Sequence, residues 1–104
     1  IDSGITYDDN IDPSEVDKSK WIAGGGNEGS IYENQGLEWI SQNQRYIATK
    51  ISNKEKNNFV YVFKSLIDCE NKSKLRWKNP HTLEWMDIYP FSPVYKFYLA
   101  FCRK

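Results

Sequence analysis

Covalent, metal or proton chemistry would have to start from three side chains in this sequence: Cys69, Cys102 and His81, the last being the single histidine. The two cysteines are an even count, well separated along the chain, and read either as two buried reduced thiols or as one disulfide. Closing a loop of that length would stabilise the fold by about 3.5 to 4 kcal/mol in the chain-entropy model. Two Cys and one His without C-x-x-C spacing fall short of the four ligands of a zinc site, so no metal site and no cofactor are expected. A reactive thiol pair would also need a C-x-x-C-like setting. His81 follows Asn79-Pro80, a turn signal, and reads as a loop residue rather than a general base. No G-x-S-x-G stands elsewhere to supply a nucleophile. Glu84 and Asp87 could pair as glycosidase carboxylates, but their spacing is that of an ordinary surface. No catalytic residues are expected.

Binding chemistry has more to work with. Lys72, Lys74, Arg76, Trp77 and Lys78 form a basic stretch with an aromatic inside it. Arg, Trp and Tyr are the residue types that anchor protein interfaces. The plainer reading is that these lysines keep a sheet edge soluble. Nucleic acid is the other partner such a set could meet, with Arg45, Lys50, Lys54, Lys56 and Lys64 added and aromatics for stacking. The overall balance of 14 basic against 14 acidic residues weighs against it. Asn71-Lys72-Ser73 matches an N-glycosylation acceptor, which requires a eukaryotic secretory route.

Strands must position most of these residues. The run from Phe59 to Cys69 is the strongest. Phe59, Tyr61, Phe63, Ser65, Ile67 and Cys69 share one face, and Val60, Val62, Lys64 and Leu66 share the other. Apolar residues on both faces suit a central strand. Gln44 to Ile51 should pair with it, antiparallel, across the polar loop 52–58. Shorter strands are expected at Trp21-Ile22-Ala23, Ser30-Ile31-Tyr32, Leu37 to Ile40 and Leu75-Arg76-Trp77. Gly24-Gly25-Gly26-Asn27-Glu28-Gly29 reads as a hairpin turn; no Gly-Lys-Ser/Thr follows to make it a phosphate loop. Near the end, Ser92 is a candidate N-cap and Pro93 a first helical residue. Val94, Phe97, Tyr98 and Phe101 then form one apolar stripe. Arg103 and Lys104 suit the negative end of the helix dipole.

Residues 1–20 stand apart. Six acidic residues face only Lys18 and Lys20 there, for a net −4, which leaves +4 on the remainder. The segment reads as a solvated acidic arm or tether, with residues 21–104 as a single domain. It could also fold back to mask the basic face. A calcium loop is excluded by the missing D-x-[DN]-x-[DN]-G pattern. The chain starts at Ile1 with no basic-then-apolar signal region, as expected of a processed protein or a trimmed piece of a longer one. With 104 residues and 15 % aromatics, disorder is not expected, and no apolar run is long enough to span a membrane.

Asp68-Cys69, then Trp85-x-x-Ile88-x-Pro90-x-Ser92, then Cys102 near the end, resembles the surface-adhesin protein E family of small exported Gram-negative domains. The resemblance covers roughly residues 21–104. It departs in the second strand, where Tyr32-Glu33-Asn34 stands in place of the family's Tyr-x-Asp, and residues 1–20 have no counterpart. It implies an α+β fold: an antiparallel sheet of about five to six strands, a C-terminal helix on one face, and a Cys69–Cys102 disulfide. Trp85 would fill the core beneath the helix, with Ile88 in the same motif, Pro90 would turn the chain, and Ser92 would cap. It also implies export to the periplasm or the cell surface, with any lipid anchor lying outside this chain. The expected function is non-catalytic binding of a protein partner: a host matrix or serum protein, or an envelope protein. Homodimerisation is compatible with this, and nucleic acid is not the expected partner. The alternative is a periplasmic inhibitor or immunity-type protein that blocks an enzyme.

Overall fold

The computed structural model describes residues 4–24, 29–53, 55, 59–71 and 73–103. Most of the glycine turn (25–28) and of the loop 52–58, with Lys72 and Lys104, lies outside the described residues. In chain order the elements are β1 (Ile5–Tyr7), β2 (Ile22–Ala23), β3 (Ser30–Trp39), β4 (Gln44–Asn53), β5 (Phe59–Asp68), β6 (Leu75–Lys78), β7 (Trp85–Ile88) and the short helix α1 (Tyr95–Ala100). Six strands run antiparallel in the order β2-β3-β4-β5-β6-β7, and β1 adds to β5 in parallel. The expected α+β architecture is therefore the one observed. The seventh strand comes from the segment read as an arm.

Alternation explains why β4 and β5 sit at the centre. Ile47 lies opposite Ser65 and Ala48 opposite Lys64, so each strand sends one residue set to each face. On the first face, under the helix, Ile47, Ile67 and Phe101 form a core, with Trp77, Tyr98 and both cysteines packed against it. On the second face Ala48, Val62 and Ile11 form another core, joined by Ile5, Tyr7, Val16, Trp21 and Leu37. Burial on both faces is what a central strand with apolar residues on both sides requires.

Three sequence expectations change. First, residues 4–17 are not a solvated arm. β1 occupies the outer edge of β5 from Val60 to Val62, while β6 takes Leu66 to Asp68 of that same edge. Asn10 fills the gap between them. Its side-chain amide donates to the Lys64 carbonyl at 2.7 Å and accepts from the Lys64 N–H at 3.1 Å, as a neighbouring strand would. Ile11 is 5 % exposed. The acidic composition misleads because the carboxylates are satisfied locally. Tyr61 donates its hydroxyl to Asp8, Lys64 pairs with Glu15 at 3.1 Å, and Asp12 caps the turn Pro13–Glu15.

Second, β3 is one strand of ten residues, not two short ones. Its polar middle is buried because each group finds a partner. Thr49 Oγ1 donates to Asn34 Oδ1 at 2.7 Å, and the Gln35 amide exchanges two 2.9 Å bonds with the backbone of Asp17. Gly36 admits the Arg45 guanidinium, which a Cβ there would strike. Arg45 donates from there to the Leu37 carbonyl at 2.8 Å and the Phe101 carbonyl at 3.0 Å, tying helix to sheet.

Third, the helix starts later than its capping signal. Val94 holds the N-cap position with no side-chain cap, and the Ser92 carbonyl accepts from the Tyr95 N–H at 3.1 Å. Two successive turns, Tyr89–Ser92 and Ser92–Tyr95, use up the Ser-Pro segment before helical geometry begins.

Candidate functional site

Cys69 and Cys102 are joined, with Cα atoms 5.8 Å apart. The bond links the segment leaving β5 to the end of α1, so it closes the first-face core covalently. This places both cysteines in a structural role, and their sulfurs do not titrate.

The two tryptophans of the C-terminal third exchange their expected places. Trp77 pairs across from Ile67 and so faces the helix, where its indole N–H donates to Ser65 Oγ at 2.8 Å. Trp85 lies opposite Lys78 on the edge strand β7, on the second face. The Arg76 guanidinium stands 4.5 Å over its ring and the Lys78 ammonium 5.8 Å away. Strand alternation is the reason. Leu75 and Trp77 point to one face of β6, Arg76 and Lys78 to the other, and β7 follows the same parity. Ile88, opposite Leu75, is buried, and Pro90 follows in the turn region.

The half of the second face that residues 4–21 leave uncovered is thus a platform of two cross-strand rows. One runs Tyr46, Leu66, Lys78, Trp85; the next runs Gln44, Asp68, Arg76, Asp87. Lys74 Nζ holds Asp87 at 3.0 Å and lies 5.9 Å from the Tyr89 ring. Beyond Tyr89, Phe91 stacks on it at 5.5 Å and is 85 % exposed. The Asp87 carboxyl is held below its ordinary value, chiefly by the hydrogen bond from Lys74. Of the expected binding residues, Lys74, Arg76 and Lys78 therefore share the second face, Trp77 is turned away, and Lys72 lies outside the described residues. Asp68, Tyr46 and Leu66 were missed. Only the cross-strand register, which no local pattern encodes, brings them beside the basic stretch.

Charge on this face is balanced. Asp68, Glu70 and Asp87 line the same cleft as Lys74, Arg76 and Trp85, and Lys78 stands alongside. Three cations against three carboxylates produce little net field for steering a polyanion.

His81 and Asp8 meet away from this platform. His81 Nε2 lies 3.8 Å from Asp8 Oδ1, which also accepts the Tyr61 hydroxyl. That hydroxyl bond is the main reason the Asp8 carboxyl is held below its ordinary value. Tyr61 is pushed up to about 12, by desolvation first and then by Asp8. The cluster pins the N-terminal segment to β5 and to the turn after β6. Glu84, in that turn, has its backbone N–H donated to Thr82 Oγ1, while Asp87 is committed to Lys74. Among the described residues no group of three or more His, Cys, Asp or Glu is placed to hold a metal ion. A scan against protein-family models, a search of curated proteins and a search of solved structures each return no match for this chain.

Proposed function

We propose that this chain is a non-catalytic exported binding domain of the kind its likeness to surface-adhesin E implies, meeting a protein partner through the open half of the second face. One observation carries the reading. Trp85, Arg76, Lys74 and Tyr89, residue types that anchor interfaces, form a contiguous cation–aromatic platform with no element of the described chain laid over it. Because the platform's charges balance, a folded protein surface of mixed charge fits it better than a sulfated glycan or nucleic acid. The disulfide is compatible with an oxidising compartment.

The test immobilises the chain with its disulfide intact and passes purified host matrix and serum proteins over it, then periplasmic extract. Saturable binding of a matrix or serum protein, lost in both Arg76→Ala and Trp85→Ala while each variant stays folded at the assay temperature, is expected. Selective capture of a periplasmic enzyme, with its activity blocked, would replace this reading by that of an inhibitor or immunity-type protein. Binding unchanged in both variants would overturn the platform as the contact surface.

A further inference from the structure

We propose that the cleft bounded by Tyr46, Lys64, Leu66, Lys78, Pro80 and Leu83 binds an acidic–apolar peptide segment, one that carries a leucine- or phenylalanine-sized side chain beside a carboxylate. The inference rests on the platform reading only for its choice of face. The cleft is lined by the apolar groups of Leu66, the Tyr46 ring, Pro80 and Leu83, with Lys64 and Lys78 also in its wall. Among the described residues no carboxylate lines it. Lys64 is already held by Glu15 at 3.1 Å and lies 4.8 Å from the Tyr46 ring. Lys78 has only the face of Trp85 and no carboxylate partner among the described residues. An incoming carboxylate would pair Lys78, and an apolar group beside it would fill the cleft.

The lip of the cleft supplies an independent observation. Leu83 adopts φ 63°, the left-handed region that a branched side chain enters at a cost and glycine enters freely. Its side chain is nonetheless 63 % exposed, so burial does not compensate. The loop holds it there firmly. Asn79 Oδ1 accepts from the N–H groups of His81 at 2.8 Å and Thr82 at 3.2 Å, and the Asn79 carbonyl accepts from the Leu83 N–H at 2.9 Å. Strained backbone around an exposed apolar side chain is what a ligand contact explains and what stability alone would remove.

The test is an NMR titration of the ¹⁵N-labelled full chain, disulfide intact, with a capped hexapeptide holding leucine next to glutamate at its centre. Shifts confined to the amides of Tyr46, Leu66, Lys78 and Leu83 are expected, with binding weakened about fivefold or more when glutamine replaces the glutamate or serine the leucine. Leu83→Gly should raise the melting temperature by about 2–6 °C while weakening binding about tenfold. Lys78→Gln should weaken binding with the melting temperature unchanged. Equal binding of the three peptides, no localised shift at millimolar peptide, or a lower melting temperature for Leu83→Gly overturns the proposal. So do shifts at these residues that grow with protein concentration alone, since the occupant is then a second copy. The matrix-protein assay is a separate readout, so either binding can fail while the other holds.

Discussion

Position on the sheet gives the same side chain opposite duties in this protein. Trp77 spends its indole N–H on a buried Ser65 hydroxyl and its ring on the first-face core, whereas Trp85 offers its ring to two cations at the sheet edge. Trp77→Phe should therefore cost about 1–3 kcal/mol, from the unpaired Ser65 hydroxyl and the space left beside it. Trp85→Ala should cost no more than about 1 kcal/mol, the scale of an exposed cation–π contact. Thermal melts of the two variants check this, and the reverse order would contradict the assigned faces. Tyr98 adds a titration at the same scale. Burial first, then proximity to Tyr32, pushes its phenol up to about 12 from an ordinary value of 10.0. The folded state holds the proton more tightly than the unfolded chain. Its contribution is thus complete below pH 10 and lost as pH rises towards 12, about 2–3 kcal/mol in all. Tyr98→Phe should flatten that part of the alkaline unfolding curve, read by circular dichroism.

At the scale of elements, the N-terminal segment is held by its three-residue parallel strand and by side chains that imitate backbone. Asn10 reads both polar groups of Lys64, and Gln35 reads both polar groups of Asp17. Asn10→Ala should cost about 1–3 kcal/mol, because it strands a backbone donor and acceptor in a part-buried site. Amide exchange should quicken at Lys64 and across β1, and stay slow at Ile47. Equal exchange at Lys64 in the variant and the parent would show that β1 holds itself. The segment is also a poor candidate for simple deletion: removing residues 1–20 strips Ile11 from the core of Ala48 and Val62 as well as removing negative charge. Charge reversals at Glu15 and Asp17 separate those two effects.

Across the whole molecule, two apolar layers are closed by different means. The second-face layer is covered by residues 4–21 through hydrogen bonds and packing. The first-face layer lies under a helix of six residues, too short to hold itself, and depends on the Cys69–Cys102 bond and on Arg45 reaching the Phe101 carbonyl. Replacing both cysteines by serine should lower unfolding stability by about 3.5 to 4 kcal/mol, measured by urea denaturation. Tyr98 and Phe101 should loosen before β4 and β5. A loss below about 1 kcal/mol would mean that packing alone seats the helix.

The amino-acid pattern by itself determined the strand-rich class, the central pair β4–β5 and a C-terminal helix that packs Tyr98 and Phe101 against the sheet. Each rests on local periodicity, which the chain carries wherever it is read. Cys69 and Cys102 were legible as a pair, and their joining followed once helix and strand met. The tertiary structure alone decided which tryptophan is core, that Asn34 and Gln35 are buried, and that the acidic segment is a strand of the sheet. It also decided that Asp68, Tyr46 and Leu66 share a face with Arg76 and Lys78. These depend on register between strands distant in sequence, where a shift of one residue would send every side chain to the opposite face.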